Sequence, residues 1–205
     1  MGTAAATKKD EQSRATRRRL IDAASALFAE NGYRDTSVQA IGERAGVSRG
    51  SIFWHFGSKE GLLWAVVEEA FGRWETDVLV PDIGDAIGIE AVRRGVRAHR
   101  RFLTDDGGAL QLFYVLMFEA LGPRPELRAR FVELHAHLRE TTAGWIVSGR
   151  RAGELRADID PQVVTTMLVS ALGGLAYQYL LDPEGVDLDA VYDGLVALLE
   201  RGLAA

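Results

Sequence analysis

The chain has 205 residues, 47% of them hydrophobic and 26% charged, the usage of an ordinary folded protein, which excludes a disordered or fibrous polymer. It has no cysteine, so a disulfide scaffold, a thiol nucleophile and a cysteine-ligated metal site are excluded too. The net charge of −5 is unevenly divided: residues 1–60 hold ten Lys/Arg against seven Asp/Glu, and the remainder 14 against 22. Charges farther apart than about 10 Å are largely screened at 0.1 M salt, so a basic head on an acidic body can still meet an anion.

Residues 1–12 lack the apolar stretch of an export signal and read as a disordered arm, which points to a cytoplasmic protein. Spacings of three and four then dominate and alternating patterns are scarce, so the expected fold is all-α with about nine helices. A first helix over 13–31 carries Leu20, Ala24, Leu27 and Phe28 on one face, and Gly32 ends it. A short helix from Thr36 or Ser37 buries Val38, Ile41 and Ala45 and stops at Gly46. The next has Ser48 as N-cap and runs to His55, burying Ile52, Phe53 and Phe56. Ser58 caps a long helix bearing Leu62, Leu63, Val66, Val67 and Ala70, and a loop is expected over Pro81–Asp85. Further helices are expected near 86–104, 109–121, 124–151, 161–181 and 187–203. Of these, 161–181 is uncharged and long enough to cross a bilayer. Its polar residues and acidic flanks make it a helix buried in protein instead, with no membrane partner.

Residues 36–56 (TSVQAIGERAGVSRGSIFWHF) form two short amphipathic helices joined by a glycine-containing turn, a helix-turn-helix pattern. The second helix of such a pair fits the major groove of double-stranded DNA. Ser48, Arg49, Gly50 and Ser51 occupy its first turn, where free N–H groups and the positive dipole end favour phosphate. Arg49 is the one side chain there with the length and charge for a bidentate contact to guanine.

From Thr16 to Leu63 the chain resembles the tetracycline-repressor (TetR) family of transcriptional regulators. The match runs through Gly32-Tyr33, Thr36-Ser37-Val38, Ala45-Gly46-Val47-Ser48, His55-Phe56 and Ser58-Lys59-Glu60. The resemblance implies a DNA-binding domain over 13–57 and an effector-binding and dimerisation domain over 58–205. It implies that Thr36 and Ser37 cap the first short helix and touch phosphate, that Arg44 does so from that helix's end, and that Lys59 clamps a further phosphate. Phe53 stands where the family has a tyrosine whose hydroxyl contacts the DNA backbone, so that contact falls to Trp54 or His55.

The resemblance further implies a homodimeric repressor on a palindromic operator, released by a small apolar or aromatic effector. The ligand candidates are His99, on the inner stripe of the helix near 86–104, together with Phe113, Tyr114, Met117, Phe118 and Trp145. The helix over 109–121 is apolar on nearly every face and is expected to be enclosed. Ser170, Gly173, Gly174 and Tyr177, with Tyr192, Leu195 and Leu199, are the candidate dimer residues. Arg93, Arg94, Arg97, Arg100 and Arg101 read as a solvated face. The histidines are too few and too badly spaced for a metal site, and no cofactor or catalytic constellation is evident. The competing reading is a helical carrier or enzyme in which the helix-turn-helix is only structural.

Overall fold

The structure, a computed structural model, describes residues 8–205 and divides into two compact units, Met1–Phe71 and Gly72–Ala205. The first contains α1 (Lys8–Asp35), α2 (Val38–Ala45), α3 (Arg49–Phe56) and most of α4 (Lys59–Trp74). The second contains a five-residue π-helical segment (Glu75–Leu79), α5 (Val80–Ile83), α6 (Gly88–Asp105) and α7 (Gly107–Ala120). It closes with α8 (Pro125–Arg151), α9 (Pro161–Leu181) and α10 (Leu188–Leu203). Among the described residues no strand forms; an isolated antiparallel bridge joins Leu155 to Ala204.

In the first unit the apolar stripes converge on one core. Leu20, Ile41, Ile52, Leu62 and Leu63 have no exposed surface, and such burial contributes roughly 1.5–3 kcal/mol per side chain. Eight-residue helices are marginal alone, so α2 and α3 take their order from this core. Gly46 turns the chain between them with φ 65° and donates its N–H to the Glu43 carbonyl, a conformation that costs any L-residue a Cβ clash. The first helix starts at Lys8, five residues before the expected Ser13; residues 1–7 of the expected arm lie outside the described residues. Gly32 breaks its helical geometry with φ 77°, as its place in the sequence suggested, and one further turn reaches Asp35.

The boundary between the units falls inside α4, fourteen residues beyond the expected one at 57. Helical structure then continues through Ile83, where a loop from Pro81 was expected. Pro81 lies at the start of α5, just after the π-helical segment has interrupted the i→i−4 ladder, so its missing N–H removes no bond the helix needs.

The core of the second unit lies between α6, α7, α8 and α9. Trp74 donates from Nε1 to the Ala98 carbonyl at 2.8 Å and stacks on Phe102, which fixes the end of α4 against α6. Of the five arginines of α6, Arg97 is exposed as expected, but the other four are paired rather than freely solvated. Arg93 pairs with Glu200 and Glu90, Arg100 with Asp189, and Arg101 with Asp82, so α10 and α5 are held to α6 by charge.

Two expectations of enclosure fail. One face of α7 is open, with Gln111 and Val115 exposed and Phe118 52% exposed. Helix α9 is likewise open along one face, through Val163, Met167, Ser170, Gly174 and Leu181. Both helices are apolar in composition, but only part of each circumference has a partner within the chain. By length and composition α9 could cross a membrane, yet its N-cap is Asp160, whose carboxylate accepts the Gln162 N–H.

Candidate nucleic-acid interface

Helix α3 has one fully buried side chain, Ile52; Ser51, His55 and Phe56, the last expected to be buried, are half-buried, and Arg49, Gly50, Phe53 and Trp54 face outward. Ser48, Arg49 and Gly50 are exposed in its first turn, and Ser51 is half-buried with its hydroxyl 3.1 Å from that of Ser48. Ser48 starts the helix in extended backbone but makes no side-chain cap bond to it, so N–H groups of the first turn remain available. Arg49 makes no ion pair among the described residues; its guanidinium lies 5.7 Å from the centre of the Phe53 ring. Phe53 is 45% exposed, not buried as expected: one residue past Ile52, it is turned about 100° away from the core. Trp54 is 73% exposed and stands edge-on to His55 at 4.4 Å between ring centres.

The flanking residues divide into free and committed groups. Ser37 caps α2, its hydroxyl accepting the Ala40 N–H at 3.0 Å. Thr36 does neither of the things expected of it. Its hydroxyl is buried and donates inward to the carbonyls of Gly32 at 2.7 Å and Leu27 at 3.1 Å, which locks the end of α1. It has no second proton to offer a phosphate. Arg44 is paired with Glu30 at 2.8 Å, so a phosphate would have to displace that carboxylate. Lys59 sits over the Tyr33 ring, 4.4 Å from its centre, and donates to the Arg34 carbonyl at 3.3 Å. Partial burial there lowers its pKa, against the opposing pull of Asp35.

Arg17 was not singled out from the sequence. It reaches from α1 to lie 5.4 Å from the centre of the Phe56 ring, at the end of α3. Together with burial, its charge keeps the His55 pKa below the usual histidine value. A signal existed, since Arg17 lies four residues before the core residue Ile21, but its partner is 39 residues away in the chain.

In the second unit the effector candidates are scattered over several contacts. His99, half-buried, has its Nδ1 2.7 Å from the Tyr192 hydroxyl and stacks on that ring. Burial holds the His99 pKa down to about 4 and raises that of Tyr192, so imidazole and phenol share this hydrogen bond as neutral groups. Tyr114 is buried, its pKa pushed up to about 12 by desolvation, and its hydroxyl donates to the Gly173 carbonyl. Phe113, Tyr114, Phe131 and Tyr177 form a chain of ring contacts 5.1–5.6 Å apart, and Phe118 touches Tyr177 from the exposed side. Met117 is half-buried, and the Trp145 ring lies where Gly95 leaves room; a Cβ there would come within 2.7 Å of it. An open groove of about 530 Å³ lies at the α7–α8 turn, lined by Pro123, Arg124 and Val132 among others and by none of these candidates.

Two of the expected dimer residues are used inside the chain. Tyr192 is buried against His99, and the carbonyl of Gly173 is taken by Tyr114. A phenol and a carbonyl on apolar helices each found a polar partner that the one-dimensional stripe does not reveal.

The His99 environment has a measurable consequence. Its folded pKa of about 4 lies below the unfolded value near 6.5. The unfolded chain therefore binds the proton more tightly, and stability present above pH 6.5 is lost as pH falls toward 4. His99→Gln should show a smaller loss than the parent chain between pH 7 and pH 4.5, by about 2–3 kcal/mol, in denaturant unfolding at the two values.

An all-α chain with a basic helix-turn-helix head and a separate helical unit belongs to the class of DNA-binding regulators. The family described as bacterial regulatory proteins, tetR family, matches residues 20–66. A BetI-type transcriptional repressor C-terminal domain matches residues 108–204. A Mycobacterium tuberculosis regulator named for mycofactocin biosynthesis, MftR, is 30% identical over 93% of this chain and 97% of its own. The Bacillus subtilis regulator FadR in complex with stearoyl-CoA is 25% identical, with TM-score 0.75 over 90% of this chain and 98% of that one. A Saccharomonospora viridis regulator in complex with choline is also 25% identical, with TM-score 0.74 over 92% and 97%. The chain belongs to the TetR family: it is a ligand-responsive, DNA-binding transcriptional repressor.

Proposed function

We propose that the chain acts in the cytoplasm as a homodimer on a palindromic operator, without catalysis of its own, and that a small apolar or aromatic effector releases it. The observation that carries the DNA reading is the outward face of α3, where Arg49 and Trp54 stand exposed while Ile52 on the opposite side is buried. Arg49 contacts bases; Ser37, Ser48 and Ser51 hold phosphates; Trp54 or His55 supplies the donor that Phe53 lacks. Arg44 and Lys59 join when the nearby phosphate replaces their present partners. Half-sites lie one helical turn or so apart, which brings both to the same face of the duplex.

The dimer reading rests on the open faces of α9 and α10. Ser170, Gly174 and Tyr177 lie on the first, beside Met167 at 66% exposure. Leu195 and Leu199, half-buried, flank Leu198 at 63% on the second. Contiguous apolar surface of this kind is covered in an oligomer. The effector reading rests on the ring chain from Phe113 to Tyr177, with His99 as a polar group able to orient a ligand. Stearoyl-CoA, the ligand of one similar protein, carries a long acyl chain of the apolar kind proposed here; choline, the ligand of another, is a small cation.

Fluorescence anisotropy against DNA from upstream of the chain's own gene, at two salt concentrations, tests the DNA reading. Affinity about a thousandfold above that for scrambled DNA is expected. Weak binding to both, vanishing with salt, would return the carrier reading. Ligands that lower the anisotropy of the same complex identify the effector.

A further inference from the structure

On α3 the ring of Phe53 lies under the guanidinium of Arg49, four residues earlier in the chain. Both residues are exposed, and Arg49 has no carboxylate partner among the described residues. An arginine on a surface helix with neither partner nor platform loses much rotamer freedom when it docks on a base. A cation held over an aromatic face at i and i+4 has lost part of that freedom beforehand. The ring has no hydroxyl with which to bind a phosphate, and beside it a Cβ added at Gly50 would meet the Ser48 hydroxyl at 3.7 Å, an ordinary contact.

From this geometry we infer that Phe53 is a positioning residue for Arg49: its ring aims the guanidinium at the edge of a guanine. The inference rests on the DNA reading above and assigns Phe53 a part in sequence discrimination, not in backbone grip. The guanidinium keeps the flat face on the ring and turns its edge, with the paired N–H donors, toward O6 and N7 of the base. The ring requirement separates this role from general packing: tyrosine preserves it, while leucine keeps apolar bulk and loses it.

The test is selection of binding sites by the full-length protein from a random double-stranded DNA library. The selected site is then titrated with each guanine position of a half-site exchanged for adenine in turn. The parent chain is expected to prefer guanine at one position of each half-site, and Arg49→Ala to abolish that preference. Phe53→Leu should reduce it about threefold and Phe53→Tyr should retain it. Unfolding curves of both Phe53 variants, compared with the parent, separate positioning from folding. A Phe53→Leu protein that weakens on every DNA alike, or keeps the full guanine preference, overturns the positioning role. No selected site at all would overturn the DNA reading itself, and the inference with it. A selected site whose guanine preference survives Arg49→Ala would leave the DNA reading standing and remove the role assigned to Arg49 and Phe53 together.

Discussion

Truncating Ile52 to alanine is expected to destabilise the first unit by about 3 kcal/mol and to abolish specific DNA binding. The size follows from position. Ile52 is the only fully buried side chain of α3, so the deleted atoms leave a cavity where that helix enters the core. Eight residues cannot sustain a helix without such support. Arg49, Phe53 and Trp54 would then lose their common scaffold. Thermal unfolding checks the first part and anisotropy the second. Trp54→Ala is the matched control for stability: the indole is 73% exposed, and its removal should move the unfolding free energy by no more than about 0.5 kcal/mol.

The second large effect is on recognition without folding. Arg49→Ala should lower the ratio of operator to scrambled-DNA affinity by about 1–3 kcal/mol, roughly five- to 150-fold, and leave the unfolding transition in place. Its guanidinium makes no ion pair among the described residues, so its removal strands no buried charge. Lys59→Ala should differ in kind, weakening operator and scrambled DNA alike and reducing the salt slope by about one. Titrations at 50 and 200 mM salt distinguish the two. Equal losses on both DNAs for Arg49→Ala would move that residue from base contact to phosphate contact.

The head was largely legible in the sequence because its signals are local. Gly46 at φ 65°, the Ser37 cap and buried Ile41 and Ile52 all follow from residues within one or two turns of each other. Phe53 was misplaced because an apolar residue beside a buried one invites burial, although helical geometry puts it on another face. Thr36 was misassigned for a different reason. A hydroxyl next to a cap position can turn to either side, and only the folded end of α1 supplies the two carbonyls that capture it.

The second unit was legible in its helix boundaries and not in its partners. The ends of α8, α9 and α10 fall within a residue or so of expectation, since proline, aspartate and glycine mark them. Which faces of α7 and α9 have neighbours depends on how helices distant in sequence cross, and an all-apolar composition carries no record of that. Tyr192 looked like part of an outer stripe and proved to be the partner of His99, 93 residues away.

The π-helical segment between α4 and α5 changes how the chain counts its own turns. Buried Trp74, Leu79 and Ile83 follow at intervals of five and then four residues, where an unbroken α-helix would repeat at three or four. The wider turn absorbs one surplus residue without rotating the inward stripe away from α6. Removing a single exposed residue there, such as Asp77, would keep the same side chains facing inward, but it would leave Pro81 inside a continuous ladder, without an N–H to give and with its ring against the carbonyl four residues back. An insertion at the same place has no such refuge: it would swing Leu79 and Ile83 by about 100° and turn the apolar face outward. Length change in this stretch therefore has a cost in either direction: a deletion sets a proline in the ladder, and an insertion turns the whole stripe.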